Sequence, residues 1–99
     1  MTDNFHARLI AKIKDAMAHP EKASTQACRG RLFAQVSYVA NVDTLFILLH
    51  NKRHKLTVGD KSLVIHAASV LGWQNPQMTD TRDTDYQWIR TWTRGNDDR

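Results

Sequence analysis

The chain has 99 residues, of which 41% are hydrophobic and 24% are charged, and its net charge is +4 with the histidines neutral. This length and composition indicate one small globular domain with a single core, and they exclude an intrinsically disordered chain. We expect residues 1–95 to form this domain and residues 96–99 to be a frayed polar tail.

The cysteine content and the lengths of the hydrophobic runs indicate in which compartment of the cell the protein is found. Cys28 is the single cysteine, which excludes an internal disulfide and favours a reducing environment. The N-terminal residues lack the basic region and apolar core of a secretory signal. No apolar run reaches the roughly 18 residues that a membrane span requires. We therefore expect a cytoplasmic protein that makes no contact with membranes.

The positive charge is concentrated in the first part of the chain. Residues 1–61 contain ten Lys and Arg against five Asp and Glu, whereas residues 62–99 contain four against five. Such an excess favours an anionic partner, which is either a nucleic acid or an acidic protein surface.

The spacing of apolar residues predicts two helices in the first half of the chain. Apolar side chains recur at three- and four-residue steps over residues 3–18, which predicts an amphipathic helix that ends before Pro20. A second helix is predicted over residues 25–42, with Gly30 inside it at a cost of about 1 kcal/mol. The unbroken apolar run Leu45–Leu49 is expected to lie at the centre of the core, surrounded by the other elements.

Two further helices are predicted in the second half. Residues 60–71 have Asp60 as a good N-cap and Gly72 as a good C-terminal stop. Residues 86–94 form the last predicted helix. The predicted fold is an all-α bundle of four to five helices. The alternative is an α+β fold with a short antiparallel sheet from residues 31–58 flanked by N- and C-terminal helices, because residues 32–40 also alternate between apolar and polar.

The last predicted helix carries a candidate protein-binding surface. Tryptophan, tyrosine and arginine are the residues that most often anchor protein interfaces. On a helix, Trp88 and Trp92 share one face, and Arg90 and Arg94 form a second pair at the same spacing. These four residues and Tyr86 are the protein-binding candidates, although the tryptophans could instead close the core.

A basic cluster follows the central apolar run and is the candidate site for an anionic partner. The cluster consists of Lys52, Arg53, His54 and Lys55. His50 and His54 have the spacing of two metal ligands on a helix, but the neighbouring cations would repel a metal ion, so no metal site is expected.

No catalytic set stands out in the sequence. Cys28 falls on the apolar stripe of the second predicted helix, where a thiol behaves as a small buried hydrophobe. A glycine-rich phosphate loop, paired carboxylates and a calcium-binding pattern are all missing from the sequence. We therefore expect neither enzymatic activity nor a cofactor.

These observations predict a small adaptor or modulator that binds a larger cytosolic protein assembly, plausibly a host complex that processes nucleic acid. Accessory proteins of phages and plasmids have this general profile, but that is an analogy. The alternative is a regulator that binds DNA or RNA directly through the basic cluster and the last predicted helix. The sequence leaves the oligomeric state open.

Overall fold

The structure, a computed structural model, describes residues 4–21, 24–74 and 83–94. These residues form two helices and an antiparallel sheet with the strand order β1-β2-β3-β5-β4. The predicted polar tail, residues 96–99, lies outside the described residues. In chain order the elements are α1 (Phe5–Ala18), β1 (Thr25–Arg29), β2 (Leu32–Val39), β3 (Thr44–Asn51), α2 (Val58–Val70), β4 (Trp73–Gln74) and β5 (Gln87–Arg94).

The fold is therefore α+β, and the prediction of an all-α helical bundle is wrong. The alternative prediction had the right class and an antiparallel sheet within residues 31–58, where β2 and β3 lie. It did not include β1 or β5, which extend the sheet on both sides. The C-terminal helix that it contained is also wrong, because Gln87–Arg94 is a strand.

The predicted second helix is a β-hairpin because of one glycine. Arg29 pairs with Leu32, so Gly30 and Arg31 form a two-residue turn. Gly30 has a φ of +60°, and a positive φ at the first turn position is the requirement of a type II′ hairpin. Gly30, which the helical interpretation places inside a helix at a cost in stability, is therefore the first residue of the turn that reverses the chain between β1 and β2.

The central apolar run is a strand with two different faces. Leu45, Ile47 and Leu49 are fully buried, whereas Phe46 is 37% exposed and Leu48 is half-buried. Successive side chains of a strand point to opposite faces of the sheet. The prediction that the run is enclosed on every side is therefore right for three of its five residues only.

Both helices pack on one face of the sheet, and they begin at the same end of it. The N-cap of α2 is Thr57 rather than the predicted Asp60, which occupies the third helical position. The Thr57 Oγ1 accepts the Asp60 N–H at 3.0 Å, and the Thr57 N–H donates to the Asp60 carboxylate at 3.1 Å, which is a capping box. Neither described helix is long and apolar enough to cross a membrane.

The core contains residues from only one face of the sheet. The inner positions of the strands and the apolar sides of α1 and α2 form a single buried cluster. Its largest fully buried side chains include two tryptophans. The cluster consists of Phe5, Leu9, Ile13, Ala16, Ala27, Leu32, Ala34, Val36, Leu45, Ile47, Leu49, Val64, Ala67, Ala68, Trp73, Trp88 and Trp92.

A polar cluster closes the sheet at the turn between β2 and β3. The Tyr38 hydroxyl donates to the Asp43 carboxylate at 2.7 Å, and the Arg94 Nε donates to the same carboxylate at 3.2 Å. The hydrogen bond from Tyr38 lowers the pKa of Asp43, and Arg94 lowers it further, while partial desolvation acts in the opposite direction. Asp43 has a φ of 46°, a conformation that aspartate and asparagine tolerate better than most residues.

This cluster predicts a specific pH dependence of stability. Because the pKa of Asp43 is lower in the folded protein, its charge stabilises the fold fully above the ordinary value of 3.8, and this stability is lost as the pH falls through the lowered value. Asp43→Asn keeps the backbone conformation but removes the charge. We expect the melting temperature of wild type to exceed that of Asp43→Asn at neutral pH and the two to converge in acid. A difference that stayed constant down to the acid limit would contradict this assignment.

Candidate functional site

The face of the sheet opposite the helices, here called the open face, is uncharged along its strands. It is formed by the positions that alternate with the core residues, and none of them is Asp or Glu. Glutamine, threonine and apolar side chains predominate. In the described strands these positions are Gln26, Cys28, Phe33, Gln35, Ser37, Val39, Thr44, Phe46, Leu48, His50, Gln74, Gln87, Ile89, Thr91 and Thr93.

The charged residues of the strands all lie on the inner face. Each of the three strand arginines is paired with an aspartate from a loop or helix, so none of them adds charge to the open face. The described strands contain no acidic residue on either face. The pairs are Arg29–Asp60, Arg90–Asp83 and Arg94–Asp43.

One end of the open face carries exposed cations. The segment Lys52–Lys55, here called the basic loop, connects β3 to α2, and all four of its residues are exposed. Its conformation is fixed by Asn51, whose side-chain oxygen accepts the backbone N–H groups of Arg53 and His54, both at 2.8 Å. The Lys52 N–H donates to the Arg31 carbonyl at 3.1 Å, which places the exposed Arg31 beside the basic loop.

Most of this positive charge is not neutralised by nearby carboxylates. Lys55 forms an ion pair with Asp85 at 3.7 Å, and both side chains are about 70% exposed, so this contact contributes little. Within the described residues, Arg31, Lys52 and Arg53 have no carboxylate partner. Their charges are therefore available to an anion from solution.

A cleft of about 140 Å³ lies where the basic loop meets the open face. Lys52 extends over the cleft, and its Nζ lies 4.9 Å from the centre of the Phe33 ring, a cation–π distance. Among the described residues, no carboxylate lines the cleft. The lining residues are Gln26, Phe33, Gln35, Leu48, His50 and Lys52.

The predicted protein-binding residues are brought together, but largely on the inner face. Trp88 and Trp92 are 4% and 1% exposed and belong to the core, and their rings meet edge to face. Arg90 covers the Trp88 ring at 4.8 Å and Arg94 covers that of Trp73 at 4.2 Å. The Arg94 side chain is 38% exposed, but the two tryptophans are not part of an exposed contact surface.

Tyr86 is a second exposed member of this predicted set. Its side chain is 44% exposed, and its carbonyl accepts the Asn51 N–H at 3.0 Å. It therefore lies beside the basic loop, at the start of β5.

The histidines and the cysteine that were considered for metal binding or catalysis do not form a cluster in the part of the chain that the structure describes. Among the described residues, no group of three or more His, Cys, Asp or Glu side chains could hold a metal ion. His50 lines the cleft, whereas His54 belongs to the basic loop. Cys28 is exposed on the open face opposite Phe33, so the prediction that this thiol is buried is wrong.

Known proteins give no further guide. Comparisons with protein-family models, with curated proteins and with solved structures found no match to this chain.

Sequence reasoning identified the basic loop but missed the surface beside it. The missed residues are Arg31 and the lining of the cleft, apart from Lys52. A signal was available in the alternation of residues 32–40, since a strand whose even positions are buried presents Phe33 and Gln35 on its other face. The helical interpretation hid this surface because it assigned these residues to the sides of a helix.

Proposed function

We propose that the protein is a non-enzymatic, cytoplasmic regulator that binds nucleic acid through the basic loop and the adjoining open face. The observation that carries this proposal is the position of Arg31, Lys52 and Arg53, which have no carboxylate partner among the described residues, at the edge of a sheet face whose described strands contain no acidic residue. The phosphates of a nucleic-acid strand bound at the basic loop contact Arg31, Lys52 and Arg53. The bases of the same strand then lie over the open face, whose described positions carry no negative charge that would repel the strand.

Helix α1 adds to this positive potential. Both α1 and α2 begin at the end of the sheet where the basic loop lies, as shown by the contact of Arg29 with the Phe5 ring and by the capping box at Thr57. The N-terminus of a helix carries a partial positive charge. At α2 the Asp60 carboxylate offsets this charge, whereas the first turn of α1 has no acidic residue, so α1 reinforces the charge of the loop.

The open face supplies the groups that contact bases. Sheet surfaces bind nucleic-acid strands by stacking aromatic side chains on unpaired bases, while neighbouring polar groups form hydrogen bonds to the base edges. Phe33 is the aromatic side chain of this face that lies beside the basic loop, since it pairs with His50, whereas Phe46 lies farther along β3. The amides of Gln26 and Gln35 lie side by side across β1 and β2.

A binding titration tests this function. Fluorescently labelled single-stranded DNA, single-stranded RNA and duplex DNA of equal length are titrated with the protein, and anisotropy is recorded. We expect binding whose affinity falls steeply between about 50 mM and about 200 mM salt, because phosphate contacts release counterions. If none of the three probes bound at micromolar protein in low salt, the proposed function would be wrong.

A second candidate is the adaptor that docks on a larger protein assembly. Its supporting observation is the apolar character of the open face away from the basic loop, where Phe46 is 37% and Val39 is 41% exposed. Docking through these residues predicts binding that is insensitive to salt, since burial of apolar area is not screened. Affinity capture with wild type and Phe46→Ala, at low and high salt, separates the two candidates.

A further inference from the structure

We infer that the cleft beside the basic loop is a subsite for one unpaired pyrimidine base, so that the protein selects single-stranded, pyrimidine-containing nucleic acid. This inference rests on the proposed function and adds the class of nucleic acid. It follows from the size of the cleft, the chemistry of its lining and its position next to the cations.

The volume of the cleft matches a single six-membered ring. A cavity of about 150 Å³ lined by Leu, Ile and Phe accommodates benzene, and this cleft has a volume of about 140 Å³. Cytosine, uracil and thymine are single six-membered rings of this kind. The cleft is open to solvent on one side, so the fused second ring of a purine would have to project beyond the lining, where it makes no contact with Phe33 or Leu48.

The lining suits the two surfaces of a base. Phe33 and Leu48 offer apolar contact to the ring, whereas the amides at the rim form hydrogen bonds to its edge. The Gln35 Nε2 donates to the Ser24 Oγ at 3.1 Å, which leaves the Gln35 carbonyl oxygen to accept a base N–H. The exposed amide of Gln26 can donate and accept.

The position of Lys52 joins this subsite to the phosphate-binding cations. Its ammonium lies over the Phe33 ring in the unliganded protein, and a bound strand lets it exchange this contact for an ion pair with a phosphate. A base inside the cleft has to leave any double helix, because the paired edges of a duplex are not accessible to a shallow sheet surface. Duplex DNA therefore reaches the basic loop but not the cleft.

Homopolymers of equal length test this inference. We expect oligo(dT) to bind wild type about tenfold more tightly than oligo(dA) or duplex DNA, because a pyrimidine stacks on Phe33 inside the cleft, a contact of about this strength for one base, whereas a purine fits it only in part and a paired base does not enter it. Phe33→Ala should remove most of this preference, while the dependence of affinity on salt stays unchanged.

Two further variants keep the test decisive. Gln35→Ala alters an exposed residue that is not needed for folding, and it should also reduce the preference for oligo(dT). Phe46→Ala changes the other aromatic residue of the open face, outside the cleft, and should leave the preference intact. Thermal unfolding of each variant confirms that it is folded.

The outcomes distinguish failure of the pyrimidine subsite from failure of nucleic-acid binding as a whole. Equal affinity of wild type for oligo(dT), oligo(dA) and duplex DNA would overturn the pyrimidine subsite but would support general binding of nucleic acid. A preference that survived in both Phe33→Ala and Gln35→Ala would also overturn the subsite. Failure of every probe to bind wild type would overturn the proposed function together with this inference.

Discussion

Trp92→Ala is expected to lower the free energy of unfolding by about 3–5 kcal/mol, the cost of truncating a large buried aromatic side chain. Trp92 is 1% exposed and packs on Trp88 in the core. A chain of 99 residues has a total stability of about 5–15 kcal/mol, so the variant should be marginally folded. Chemical denaturation followed by circular dichroism measures the change.

Tyr86→Ala provides the matched control for this prediction. Tyr86 belonged to the same predicted contact surface, but its side chain is 44% exposed, and we expect its truncation to change stability by less than about 1 kcal/mol. If Trp92 lay on an exposed surface, the two variants would differ little in stability. Equal and small changes in the free energy of unfolding for the two variants would therefore contradict the orientation of the Trp92 side chain towards the core.

A conservative variant examines the same site further. The Trp92 Nε1 is buried and has no hydrogen-bond partner among the described residues, and an unpaired buried donor is unfavourable. Trp92→Phe retains most of the apolar volume and removes this donor. It should cost clearly less stability than Trp92→Ala in the same denaturation experiment.

The interpretation of β5 as a helix failed because one spacing fits both kinds of element. Residues four apart share a face of a helix, but four is also an even number, so Trp88 and Trp92 share a face of a strand as well. The deciding signal was the residue type. Residues 87–94 are rich in aromatic and β-branched side chains, which favour strands.

The two helices, whose ends are marked by residues that start or stop a helix, were predicted best. The N-terminal helix was predicted over residues 3–18 and is observed over Phe5–Ala18, and the helix predicted over residues 60–71 is observed over Val58–Val70. Gly72 follows the second helix with a φ of +88°, as expected of a C-terminal glycine. The outer part of the sheet was harder to predict because β5 pairs with β3 and β4, which are distant from it in the chain.

The candidate site was predictable only in its charged part. Exposed lysine and arginine side chains in a polar loop can be identified from the sequence alone, and Lys52–Lys55 are exposed. The cleft combines β1, β2, β3 and the basic loop. The turn at Gly30 fixes the register of β1 and β2, but the cleft also depends on how β3 pairs with β2, for which the sequence contains no comparable turn signal.

The double variant Arg31→Ala and Arg53→Ala is expected to weaken binding of a single strand about 25-fold at about 0.1 M salt, since each lost phosphate contact removes about 0.7 from the salt slope. Arg31 and Arg53 are exposed and lie outside the core and the cleft, so folding should be preserved. The matched control is Lys12→Ala and Lys14→Ala on α1, which removes the same charge from the helical side of the protein. We expect the control to reduce affinity far less.

The salt dependence of this pair of variants tests the nucleic-acid interface most directly. The logarithm of the association constant for a single-stranded probe is measured against the logarithm of the salt concentration for wild type, the arginine variant and the lysine control. We expect the slope of the arginine variant to be shallower than that of wild type by about 1.4, the sum of two phosphate contacts, and the slope of the control to equal that of wild type. Identical slopes for all three proteins would contradict the assignment of the basic loop as the phosphate-binding surface.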